Sequence, residues 1–148
     1  MKKLVVFIAI SGLFLTASGA SAATKVKVTP HFKVTKKNPV VTFKVSGLPK
    51  ENGIYISQCM APSKDAGAAK ACNPAEYSKL WVSDVAADQA MGAKSSKSKL
   101  TLKVDKYFKD GDCIHTTCVF LVTNDHNAAT DRSEDQAIKF KFGGINLF

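Results

Sequence analysis

Arginine is almost missing from this 148-residue chain: Arg132 stands alone among 21 basic residues. Base-edge reading and bidentate phosphate clamping both favour the guanidinium fork. A sequence-specific nucleic-acid reader is therefore not expected. Histidine is scarce, with three in all, and His31 and His115 have no partner at ligand spacing. No G-x-S-x-G turn is present to strain a serine nucleophile. After residue 22 no apolar run approaches the roughly 20 residues of a membrane-spanning helix. No amphipathic-helix period and no internal repeat stand out. Catalysis, metal chemistry and membrane spanning all lack their usual marks, and the expected catalytic and metal ligand sets are empty.

The first 22 residues have a character of their own. Lys2 and Lys3 precede an apolar run of about a dozen residues, and Ala20-Ser21-Ala22 supplies small residues of the A-x-A type. This is the layout of a secretory signal peptide cleaved after Ala22. It predicts a secreted domain over residues 23–148, the last six forming a short tail. Cleavage lowers the formal net charge from +9 to +7. A chain of this length supports one domain with a modest core. Its lysine excess allows diffuse attraction to anionic polymers.

Four cysteines in an exported chain read as disulfides. Of three possible pairings, Cys59–Cys72 and Cys113–Cys118 are favoured, because each closes a local loop. Neither spacing has the tight knuckle of a structural zinc site. Around the cysteines, apolar and polar residues alternate with a period of two, as half-buried strands require. Val41, Phe43 and Val45 oppose Thr42 and Lys44; Leu100 and Leu102 oppose Thr101 and Lys103; Ile138, Phe140 and Phe142 oppose Lys139 and Lys141. Further strands are expected over 25–34, 54–59, 79–85 and 119–123. Residues 86–97 read as a mobile turn in which only Met91 is a packing candidate. About seven short strands punctuated by turns indicate an all-β, seven-stranded immunoglobulin-like Greek-key β-sandwich with two local disulfides.

The loop at 124–136 gathers Asp125, His126, Asp131, Ser133 and Asp135. A nucleophilic triad needs serine, histidine and carboxylate in one hydrogen-bonded relay. The order of acids is not that of a calcium-binding EF-hand. The favoured reading is a polar loop in which Asp131, Arg132 and Glu134 bond to one another, with Arg132 pairing Asp131 or Asp135. Asp105, Asp110 and Asp112 read as solvated turn residues. Tyr77, Trp81, Phe108 and Phe120 are core or cleft aromatics, with Trp81 the best candidate for an exposed ligand platform.

Several motifs taken together resemble the neocarzinostatin family, the apoproteins of enediyne antibiotics. They are V-x-V-T-P near residue 26, V-T-F-K-V-S-G-L at 41–48, G-I-Y-I-S-Q-C ending at Cys59, L-T-L-K-V before Phe108, the C-x4-C pair at Cys113 and Cys118, and Q-A-I-K-F at 136–140. The chain is most similar to divergent secreted actinobacterial members. The resemblance implies a non-enzymatic carrier that holds a small apolar chromophore, without covalent attachment, in a cleft near the disulfide loops. Gln58, Trp81, Phe108, Phe120 and His126 are the expected ligand-binding residues. It also implies an antibiotic or antimicrobial association, with DNA reached through the chromophore. An alternative is a cell-envelope or adhesion module that binds anionic surface polymers. A monomer is expected in either case.

Overall fold

The computed structural model describes residues 24–30, 34–35, 39–61 and 71–143. The expected signal peptide, His31, most of the Cys59–Cys72 loop and the tail after residue 143 lie outside the described residues. The described residues form eleven strands: β1 Lys25–Thr29, β2 Val34–Thr35, β3 Val40–Ser46, β4 Ile54–Met60, β5 Lys79–Val82, β6 Leu100–Lys103, β7 Tyr107–Phe108, β8 Gly111–Asp112, β9 Cys118–Asn124, β10 Gln136–Phe140 and β11 Phe142–Gly143. The protein is all-β; beside the strands, the described residues hold one short helix, α1 Ala86–Ala90, and two single 3-10 turns.

The seven longer strands form two antiparallel sheets, with orders β1-β3-β6 and β10-β9-β4-β5. Their inward side chains make one shared core. Val41, Phe43, Leu100 and Leu102 come from the first sheet, and Ile54, Ile56, Val82, Phe120, Val122 and Phe140 from the second. Phe120 lies at its centre, edge-on to Phe43 at 5.1 Å and stacked on Phe140 at 4.3 Å. These are the offset and T-shaped geometries that aromatic quadrupoles favour.

The other four strands have two residues each. β2 pairs with β11 in parallel, and β7 with β8 as a hairpin. Alternation cannot announce a two-residue strand, so the expected closing strand to Phe142 divides at Lys141 into β10 and β11. Both expected disulfides form, Cys59–Cys72 and Cys113–Cys118.

The expectation for residues 86–97 needs correction. The stretch holds α1, and Met91, the expected packing residue, is 62 % exposed. The buried residues are Asp88 and Ala93. Asp88 accepts from the Ser83 hydroxyl at 2.6 Å and the Asn127 side-chain Nδ2 at 3.2 Å. Lys94 continues the hydrogen bonding of β5 through the Trp81 carbonyl. A helix of five residues is too short to show a period, and buried polar anchoring leaves no hydrophobic mark in the sequence.

Candidate functional site

The four-stranded sheet turns a partly apolar face outward. Cross-strand register sets Tyr55 beside both Trp81 on β5 and Thr123 on β9, and Ser57 beside Leu121. The Tyr55 and Trp81 rings lie 6.1 Å apart. The turn after β9 adds His126, whose ring meets Trp81 edge-on at 5.0 Å and whose Nδ1 lies 2.8 Å from the Tyr55 hydroxyl. Tyr55, Trp81 and Leu121 are half-buried, and His126 is exposed.

One buried carboxylate holds this corner in place. Asp125 is fully buried. Its Oδ2 accepts from the Gly53 amide at 2.7 Å and the Trp81 indole N–H at 3.0 Å, and its Oδ1 accepts from the Asn127 amide at 3.0 Å. Backbone and indole donors together supply the charge-assisted bonds that a buried carboxylate requires. Trp81 is thereby fixed as a rigid plate. Burial pushes the Tyr55 phenol above its usual pKa, and the charges of Asp125 and Asp88 add to the effect. The phenol therefore stays neutral through physiological pH.

Beside the rings is an open depression of about 300 Å³, lined by Tyr55, Thr123, Asn124, His126, Asp131 and Arg132. Arg132 pairs with Asp135 at 2.6 Å, one of the two partners expected. Asp131 instead accepts from the Ser133 amide and hydroxyl, both at 2.9 Å, which hold its carboxyl below the usual range. Glu134 corrects the expected loop network. It is buried and accepts from the Thr24 amide at 2.5 Å, a partner 110 residues away. His126 bonds to Tyr55 and Ser133 to Asp131, so the nucleophilic relay does not assemble.

The disulfide end of the sheet lies four residues along β4 from Tyr55, about 13 Å at strand rise. There Gln58 points inward and is fully buried. Its Oε1 accepts from the Asn73 side chain and the Asp105 amide, both at 2.9 Å. Its Nε2 donates to the Asp105 carbonyl at 2.6 Å and lies 3.3 Å from Cys113 Sγ. Asn73 also donates to Ser78 and Asp105, and Tyr77 to Asp105. This network ties the first disulfide loop to the second.

The five expected site residues therefore separate. Trp81 and His126 meet on the outer face. Gln58 and Phe120 are neighbours in register on the inner face. Phe108 is half-buried in the β7–β8 hairpin, packed on the core and over Gly111, where an added Cβ would fall 2.2 Å from its ring. Tyr55 was not among the expected residues. In G-I-Y-I-S-Q-C the alternation does place it opposite Ile54 and Ile56, but its pairing with Trp81 depends on register.

The three-stranded sheet presents a different outer face: Lys25, Lys27 and Thr29 from β1, Val40, Thr42, Lys44 and Ser46 from β3, and Thr101 and Lys103 from β6. Among the described residues no group of three His, Cys, Asp or Glu is placed to hold a metal ion.

No curated protein and no solved structure matches the chain. The neocarzinostatin family does match it, over residues 26–140, which takes in all four cysteines and both main sheets except Lys25. The chain belongs to the neocarzinostatin family, and non-enzymatic carriage of a chromophore or other ligand is the role typical of that family.

Proposed function

We propose that this protein is a secreted carrier whose small apolar, aromatic ligand lies on the outer face of the four-stranded sheet. The ligand would run from the Tyr55–Trp81–His126 corner toward the Cys59–Cys72 bridge. One observation carries this reading: the two outer faces differ in kind. One presents lysine and threonine, with Val40 at its edge and no aromatic ring among its described residues, while the other presents Tyr55, Trp81 and Leu121 only half-covered, beside the exposed Lys79 and Lys139. Concave, mostly apolar surfaces with a few fixed polar groups are where small ligands bind. His126, Arg132 and the Tyr55 hydroxyl are the polar groups within reach. Gln58, Phe108 and Phe120 contribute from beneath by holding the strands and bridges in place. In this reading the strand order is that of an immunoglobulin-like Greek-key sandwich with β5 paired to β4. Any antibiotic action, or any action on DNA, belongs to the ligand.

The test is titration with a flat apolar dye, followed through the fluorescence of Trp81, the chain's single tryptophan. Quenching with little salt dependence is expected. By calorimetry, Tyr55→Ala and Trp81→Ala should each weaken binding by roughly tenfold, on the order of 1.4 kcal/mol. Binding left unchanged in both variants sinks the proposed location. Native mass spectrometry of protein from its own host would identify a co-purifying ligand.

A further inference from the structure

The lysine face has a feature that solubility alone does not require. In the β1–β3 register Lys27 stands directly opposite Lys44, and Lys25 opposite Ser46. Like charges directly opposed across a strand pair are destabilising. A groove of about 530 Å³ runs over this face, lined by Lys25, Lys27, Lys44, Lys97, Ser46 and Ser98 among others, and none of its lining residues is acidic. Among the described residues the ion pairs are Arg132–Asp135 and Asp112–His115, neither of which lines it.

The far wall of the groove is ordered. Asp84 accepts from the Ser95 hydroxyl, the Ser96 amide and the Ser96 hydroxyl at 2.6–2.9 Å, and Ser98 closes the turn on the Ser95 carbonyl. This low-complexity serine-lysine stretch is therefore a fixed turn that presents Lys97 toward β1 and β3. The Asp84 carboxylate is bonded by the turn's own donors and also feels the charge of Lys97. This leaves the opposed pair Lys27 and Lys44 on the strands without an ion-pair partner among the described residues.

We propose that this groove is a binding surface for a linear phosphodiester polymer of the cell-envelope type, separate from the ligand face. Lysine binds phosphate as a point charge, and the serine hydroxyls add hydrogen bonds. The lining contains no arginine, and its one aromatic ring, Phe43, is 2 % exposed in the core. Base-edge reading and base stacking both need what is missing here. The surface is suited to a charged backbone and not to nucleobases. Opposed lysines gain when phosphate enters, because the polymer removes the repulsion that the empty face sustains.

The test uses synthetic poly(glycerol phosphate) as the probe, with an ordinary duplex DNA oligomer of matched charge beside it. Binding is measured from about 50 to 200 mM salt, the range over which counterion release acts strongly. The K25Q/K27Q/K44Q triple variant should lose at least about tenfold in affinity at low salt, and its salt slope should fall by about 0.7 for each phosphate it no longer neutralises. A control with the same net charge, K50Q/K109Q/K141Q, should stay within about twofold. The groove variant should also melt no lower than the parent, because it relieves like-charge repulsion. Equal weakening in both triples would mean net charge alone, and would overturn the proposal. Failure of the polymer to bind would overturn it too, as would groove-dependent binding of DNA tighter than that of the polymer.

Discussion

Gln58 is a neutral amide with no exposure, and both of its side-chain ends are satisfied internally. Replacing it by leucine leaves the Asp105 amide and the Asp105 carbonyl short of partners, while Asn73 keeps Ser78 and the Asp105 carboxylate. Each unmet buried group costs about 1–3 kcal/mol. Gln58→Leu should therefore lower unfolding stability by roughly 2–4 kcal/mol in urea titrations; a loss under about 0.5 kcal/mol would show that the network is dispensable. Acid behaviour is set at the same scale. Hydrogen bonds from Ser96 chiefly hold Asp84 below its ordinary pKa of 3.8, those from His115 do the same for Asp112, and those from Ser133 for Asp131. A depressed carboxyl contributes stability that is present above its unfolded value and lost as pH falls through the folded one. The thermal midpoint should therefore drop below about pH 4. Asp84→Asn should show a shallower drop than the parent; an identical acid limb would remove Asp84 from the account. Tyr55 has the opposite sign. Its raised pKa favours the folded state at neutral pH, and this contribution is lost as pH rises through the folded value, above 10.0.

Among the elements, the entry to β4 is closed in by backbone. A Cβ added at Gly53 would lie 2.5 Å from the Val82 carbonyl oxygen and 2.7 Å from Ser83 Cβ. Backbone must move to accept it, and the moving segment carries the amide that binds Asp125. Gly53→Ala should cost on the order of 2 kcal/mol or more. It should also loosen Trp81, read as a shifted emission maximum; a parent-like spectrum and stability would refute this coupling. The Cys59–Cys72 bridge closes a loop spanning 13 positions. Removing it with paired alanines should destabilise by about 3 kcal/mol, measured by the midpoint of chemical unfolding. The strands of four to seven residues were legible before folding, because Val41, Phe43 and Val45 must share a face whatever they pack against. The two-residue strands and α1 were not. Nothing inside so short a segment distinguishes it, and its conformation is imposed by neighbours such as Ser83 and Asn127.

For the whole molecule, the main feature is the difference between the two sheet faces. One carries Lys27 opposed to Lys44, and the other carries Tyr55 and Trp81, the Trp81 indole held by a buried aspartate. The two proposals predict opposite responses to salt: dye binding nearly flat, polymer binding steep. Raising salt from about 50 to 200 mM should also raise the melting temperature of the free protein, by screening repulsion among the lysines of the first sheet. A fall on salt addition would contradict unrelieved repulsion there.

The residues by themselves determined the alternating strands, the family and the positive charge, because period and composition are local properties. They favoured the two local bridges and named Trp81 and His126. They did not bring Tyr55 to Trp81, set Lys27 against Lys44, bury Phe120 and Gln58 beneath the outer face, or send Glu134 to the amide of Thr24. Each of those depends on which strand lies beside which and in what register, and only the packed sheets fix that.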